Sequence, residues 1–290
     1  MWVWYSLFVA VWVTIQTFLI KNLTKKISPL PLLYATFIFS IPFTFILLLF
    51  LGGVPKVTDN FYLYMGIAGF LDAIALVSFY LGISRSSISL VAPIASFSPV
   101  FTTLIAIFAL GEIPTLLKFF GILLVVCGAY LLNVMDAKEG IMTPFKTLFS
   151  HKGAMLFLLA NFIWAITPIF QKKAIFETDP QIPLFASVIG MCFVFVFLSP
   201  FALKKALASF WEVKANIKWF VFTGIGSAFA QAAAYAAFAL VFVGYATSIF
   251  RLSTLFIIVL GGVFLKEERI KERLLGASVM VIGAILLALP

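Results

Sequence analysis

Charge, histidine and cysteine are scarce in this chain of 290 residues, and each shortage removes a class of function. Lys, Arg, Asp and Glu together make up 11% of the residues and gather between apolar runs. The one histidine, His151, and the two cysteines, Cys127 and Cys192, cannot assemble a metal cluster. Both cysteines fall inside apolar runs, where small core packing is the expected role and a disulfide is not. No cofactor is expected. A Gly-x-x-x-x-Gly-Lys-Ser/Thr loop is absent, so nothing supports direct drive by ATP. An enzyme acting on lipid-linked substrates needs a nucleophile, a metal cluster or paired acids and bases. With one loop histidine, one acid in mid-run and no serine beside a partnered base, no enzyme is expected.

What the chain has instead is apolar length. It is 63% hydrophobic with a mean hydropathy of +1.17, more apolar surface than a soluble protein of this size could bury. A hydrocarbon core of about 30 Å needs about 20 apolar residues per helix. Ten such runs can be read: 2–20, 31–51, 61–83, 89–109, 116–134, 153–170, 183–203, 217–240, 244–265 and 274–289. They are long and continuous with no period-two alternation, which favours helix over strand. The first run has no basic segment before it, so it is read as a retained span and not as a signal peptide.

The net charge of +9 reads as topology and not as a nucleic-acid partner. Of 20 Lys and Arg, alternate loops hold 15: Lys21, Lys25, Lys26, Arg85, Lys138, Lys146, Lys152, Lys204, Lys205, Lys214, Lys218, Lys266, Arg269, Lys271 and Arg273. The other loops hold only Lys56, Lys118, Lys172 and Lys173, and Arg251 lies within a run. Cationic loops favour the cytoplasm, so both termini of a cell-membrane protein are expected outside.

The second half of the chain repeats the first. Gly121–Leu132 laid over Gly276–Leu287 gives six identities, including both glycines of each segment. The same register sets Glu112 on Glu267 and Ser98 on Ser253; a slightly different one sets Trp12 on Trp164 and Lys21 on Lys173. An odd number of spans per copy inverts the second copy in the bilayer, an arrangement that many transporters use. The expected fold class is therefore all-α: a polytopic membrane bundle of ten transmembrane helices built from two inverted five-helix repeats. The expected division is 1–134, a polar connector at 135–152, and 153–290, forming one bundle and not two free domains. Gly121/Gly128 and Gly276/Gly283 each lie two turns apart on one helix face, where small residues let helices approach closely; internal packing is the safer reading over a homodimer contact. Glu112 and Glu267 each precede a closing helix, whose positive dipole end is sufficient to account for them.

A charge within lipid is costly, about 2.5–3.5 kcal/mol on insertion scales, so each one invites a functional reading. Asp72 in the third run and Arg251 in the ninth are the two candidates for coupling or substrate contact; the plainer alternative is an ion pair holding the repeats in register. Uncharged polar residues recur at helical spacing and mark a candidate cavity lining. They are Asn161, Trp164, Pro168 and Gln171 on the sixth run; Ser227, Gln231 and Tyr235 on the eighth; Thr247, Arg251 and Thr254 on the ninth; and Ser89, Pro93, Ser96 and Thr103 on the fourth. Interhelical packing accounts for such stripes equally well. Pro93, Pro99 and Pro168 are candidate helix kinks, and Trp12, Tyr80, Trp164 and Tyr235 offer rings for an apolar or cationic solute.

These residues carry a resemblance. The Trp12 and Trp164 segments, Ser89–Pro93 continuing to Ser98–Phe101, and Leu110–Glu112 leading to Gly121 and Gly128, with its repeat at Glu267, Gly276 and Gly283, resemble the EamA family of the drug/metabolite transporter superfamily. The resemblance covers nearly the whole chain. It implies a membrane exporter or exchanger of small metabolites, with a central cavity lined largely by the first, third and fourth helices of each half. Two departures stand out. Some members carry a glutamate in the first helix for proton coupling, where this chain offers Gln16. Many place both termini in the cytoplasm, against the charge count here.

The expected function is secondary active transport of small amphipathic metabolites, amino acids or related solutes among them, by proton-coupled export through alternating access. A flippase for a lipid-linked sugar or lipid carrier is the alternative. Expected partners are a small-molecule substrate, the bilayer and protons, with the chain monomeric or a homodimer.

Overall fold

The computed structural model of the chain describes residues 1–85, 96–134, 152–265 and 270–289. Its helices run in chain order as α1 (Trp2–Leu23), α2 (Pro29–Leu51), α3 (Asp59–Arg85), α4 (Ser98–Leu110), α5 (Leu116–Val134) and α6 (Lys152–Phe176). After them come α7 (Pro183–Ala208), α8 (Phe210–Ala215), α9 (Ile217–Leu240), α10 (Val243–Phe250), α11 (Leu252–Leu265) and α12 (Ile270–Ala288). Six of them, α1, α2, α3, α6, α7 and α9, are long and apolar enough to cross a membrane. Shorter apolar helical segments, Ser98–Leu110, Leu116–Leu132, Val243–Ile257 and Leu275–Ala288, stand where the other four runs were read.

Local chemistry sets the helix ends. Pro29 and Pro183 lie at the starts of α2 and α7, where the missing N–H has no intrahelical partner to lose. Pro99 opens α4 in the same way instead of kinking its interior. Pro168 lies within α6, which runs on unbroken to Phe176. Of the proline breaks expected from sequence, Pro93 lies outside the described residues. The break that does occur in the ninth run falls at Arg251, a turn between α10 and α11. Gly111 ends α4 in the left-handed region (φ 69°), a conformation glycine adopts without steric penalty.

Packing mirrors the duplicated sequence. The first helix of each half lies against the third helix of the other: α1 against α9, and α6 against α3. The second and third helices cross over too, α2 on α9 and α7 on α3, while α2 meets α7. The last helices, α5 and α12, pack on each other. A Cβ on Gly128 would stand 2.6 Å from the Gly276 carbonyl, and one on Gly283 would stand 2.7 Å from that of Gly121. The glycine pairs are therefore an internal, reciprocal crossing of the two halves. Large apolar side chains such as Phe45, Leu49, Phe50, Phe108, Val196 and Phe201 point outward, as a surface bathed in hydrocarbon requires.

Several expectations need correcting. The sixth helix extends past residue 170 to Phe176, so Lys172 and Lys173 are helical and not loop residues. A short helix, α8, precedes the eighth run. A two-residue antiparallel pair, β1 (Lys56–Val57) with β2 (Thr178–Asp179), joins the α2–α3 and α6–α7 connectors, a small exception to an all-helical chain. Cys127 is exposed and Cys192 half-buried, so Cys127 is not a core residue.

Candidate substrate site

The polar stripe of α6 organises the interior. Asn161, Trp164, Thr167 and Gln171 advance three or four residues at a time and so share one side of the helix. That side faces α3 at one level and α4 with Arg251 at another. Gln171 Nε2 donates to Asp72 Oδ2 at 2.9 Å. Thr167 and Trp164 lie near the same carboxylate, on the side of α6 that carries Gln171. The Trp164 ring also packs on Phe79, with ring centroids 5.0 Å apart. Tyr235, fully buried on α9, stands within electrostatic reach of Asp72.

Further along α6, Arg251 Nη2 donates to Asn161 Oδ1 at 3.3 Å and to Ser98 Oγ on α4 at 2.7 Å. Asn161 is fixed in turn by its own Nδ2, which donates to the Phe157 carbonyl at 2.9 Å. Arg251 and Asp72 do not pair with each other, so the expected alternative of a buried bridge between them is set aside. Both reach α6 instead, at positions about 15 Å apart along the axis at 1.5 Å per residue.

The other candidates scatter. Trp12 Nε1 and Gln16 Nε2 each donate to Ser227 Oγ of α9, both at a long 3.4 Å. Tyr80 is buried among Leu23, Ile27, Leu33 and Phe220 and belongs to an apolar cluster. Thr247 donates to the Val243 carbonyl of its own helix at 2.9 Å. Ser96 is buried and Gln231 half-buried, neither in the hydrogen bonds of the Asp72 or Arg251 clusters. Ser89 and Pro93 lie outside the described residues.

One pair of charges escaped the sequence reading. Glu112 Oε1 and Lys172 Nζ meet at 2.5 Å with both side chains 6% exposed, the only ion pair among the described residues. Glu112 Oε2 accepts from the Val243 amide that opens α10 at 2.7 Å, and Lys172 donates to the Val241 carbonyl at 2.7 Å. Glu112 thus serves the N-terminus of α10 and not that of the helix following it, where the sequence had placed it.

Two halves packed by reciprocal contacts, with buried polar clusters between them, set the frame for the comparisons. The model of the EamA-like transporter family matches residues 1–134 and again 151–289. The chain belongs to the EamA-like transporter family. A solved structure described only as "Crystal structure of protein" shares the fold, with a TM-score of 0.74 at 16% identity over 99% of this chain and 98% of that one. No curated protein matches. Membership makes this EamA-like chain a multi-pass membrane transporter of small solutes, built from two copies of the repeat. Ser98, Glu112, Thr167 and Lys172 are residues that sequence reasoning left out of its candidate site. Thr167 was within reach of that reading, since it continues the α6 stripe.

Proposed function

We propose that this EamA-like protein is a secondary active exporter of small amphipathic solutes, working by alternating access between two inverted five-helix repeats that together make ten spans. The observation that carries this reading is the pair of separate polar clusters, at Asp72 and at Arg251, each built from both halves of the chain. Rocking one half against the other changes both clusters at once, which is what coupling a solute to a driving ion requires. Asp72 is surrounded by neutral donors and can exist with or without its proton, so it is assigned the proton. Arg251 is assigned the solute.

The test is flux in liposomes holding the purified protein, with a pH gradient and a panel of amino acids and small amphipathic amines. Substrate-dependent proton movement is expected, lost in Asp72→Asn while the protein still folds. Solute flux equal in wild type and Asp72→Asn would remove the proton from Asp72 and leave that cluster a packing device.

A further inference from the structure

Among the described residues, Arg251 is a cation without an anion. Its guanidinium stays charged in any protein environment and carries five N–H donors. The two bonds it makes are both from Nη2, to the neutral oxygens of Ser98 and Asn161. Among the described residues Nη1 and Nε carry no hydrogen bond, and no carboxylate pairs with the group. Of the chain's eleven acids, only Asp72 stands in the middle of an apolar run, and its carboxylate is held by Gln171. Glu112 is already neutralised by Lys172. A charge inside a membrane bundle is costly and commonly marks a substrate or ion pathway.

We propose that Arg251 is the anchor for a carboxylate group of the transported solute, positioned by Ser98 from the first half and Asn161 from the second. This rests on the exporter reading and deepens it by naming the head group. A monocarboxylate fits better than a phosphate dianion, because one guanidinium supplies one positive charge and its fixed neighbours are neutral. Asn161 is held by one Nδ2 bond to the Phe157 carbonyl and accepts from Arg251 with its Oδ1, so it orients Arg251 for the anion. Trp164, one turn along α6 from Asn161, offers the aromatic face beside which an apolar body would lie. The amphipathic solute is then one with its charge at Arg251 and its apolar part beside Trp164.

The experiment uses four probes with one apolar body: 3-phenylpropionate, 3-phenylpropanol, 3-phenylpropylamine and a phenylalkyl phosphonate. Binding to the detergent-purified full chain is read by thermal shift and calorimetry, beside flux in liposomes. The carboxylate is expected to bind, and the alcohol and amine to bind at least roughly ten-fold more weakly. Arg251→Met should weaken the carboxylate by a similar factor, while Arg251→Lys keeps part of it. The head-group order in wild type stands even where Arg251→Met fails to fold. Equal binding of the amine or alcohol, a preference for the phosphonate, no binding at all, or full binding by a folded Arg251→Met would each overturn the assignment. Flux of an amine without any carboxylate effect overturns this site and leaves the exporter standing. Arg251-dependent carboxylate binding with no flux of any solute keeps the site and overturns the exporter.

Discussion

Glu112 and Lys172, contributed by different halves, form a buried ion pair whose spare bonds tie down both sides of the α9–α10 connector. One member accepts from the Val243 amide and the other donates to the Val241 carbonyl. The connector is thus held by both signs of charge. Removing one partner leaves the other buried without compensation, a loss of about 3 kcal/mol or more, whereas replacing both with apolar groups is often near neutral. Glu112→Gln and Lys172→Met should each lower the unfolding temperature markedly in detergent, and the combination should lose far less than their sum. Additive losses would mean that the two groups act independently.

The crossing of α5 and α12 predicts a steric pattern. Gly128 and Gly283 stand so close to opposing carbonyls that an added methyl group forces the helices apart, costing about 1–3 kcal/mol by overpacking. Gly66, whose Cβ would meet its nearest neighbour at an ordinary 4.0 Å, is the control. Gly128→Ala and Gly283→Ala should reduce monodisperse yield and thermal stability, and Gly66→Ala should not. Size-exclusion profiles of the three variants side by side decide it.

The legible and illegible parts of this chain divide on physical grounds. Run lengths, the duplication and the α6 stripe could be read because hydropathy and helical period are local properties of sequence. Lys172 was misread as a loop residue because a lysine at the end of an apolar run looks like a boundary. Its distant partner Glu112, which follows the left-handed turn at Gly111, neutralises it inside the bundle. Cys127 was misplaced for another reason: lipid accepts the same apolar residues as a core, so composition cannot tell outward from inward. The grouping of Arg251 with Ser98 and Asn161 needs three helices to converge, which no single periodicity encodes.

Trp12 and Trp164, which the repeat sets on each other, differ in what they meet across the interface. Trp12 donates to the neutral hydroxyl of Ser227 at a long 3.4 Å, while the Trp164 indole lies near the Asp72 carboxylate and packs its ring on Phe79. A donor dipole beside a charged oxygen gains more than one at the long limit of a neutral bond. Trp164→Phe should therefore destabilise more than Trp12→Phe. In an Asp72→Asn background the excess should shrink, since the acceptor has lost its charge. Unfolding midpoints of the four variants test this, and an excess untouched by Asp72→Asn would assign it to ring packing on Phe79.

The connectors sort the helix ends onto two faces. Lys56 pairs with Asp179, Glu112 meets Lys172 and Val243, and Lys118 Nζ donates to the Leu287 carbonyl at 3.0 Å near the end of α12. These contacts gather the α2–α3, α4–α5, α6–α7 and α9–α10 connectors with the end of α12. Because α2 and α7 each run for more than 20 residues, the α1–α2 and α7–α9 connectors stand about 30 Å or more away. The second face carries Lys25, Lys26 and Lys214, and the positive-inside rule predicts that it faces the cytoplasm. A single cysteine at Lys56, in a Cys127→Ser/Cys192→Ser background, should react with an impermeant maleimide in intact cells. One at Lys25 or Lys214 should react only after permeabilisation. The reverse pattern would set both termini in the cytoplasm and show that the loop charges do not orient this chain.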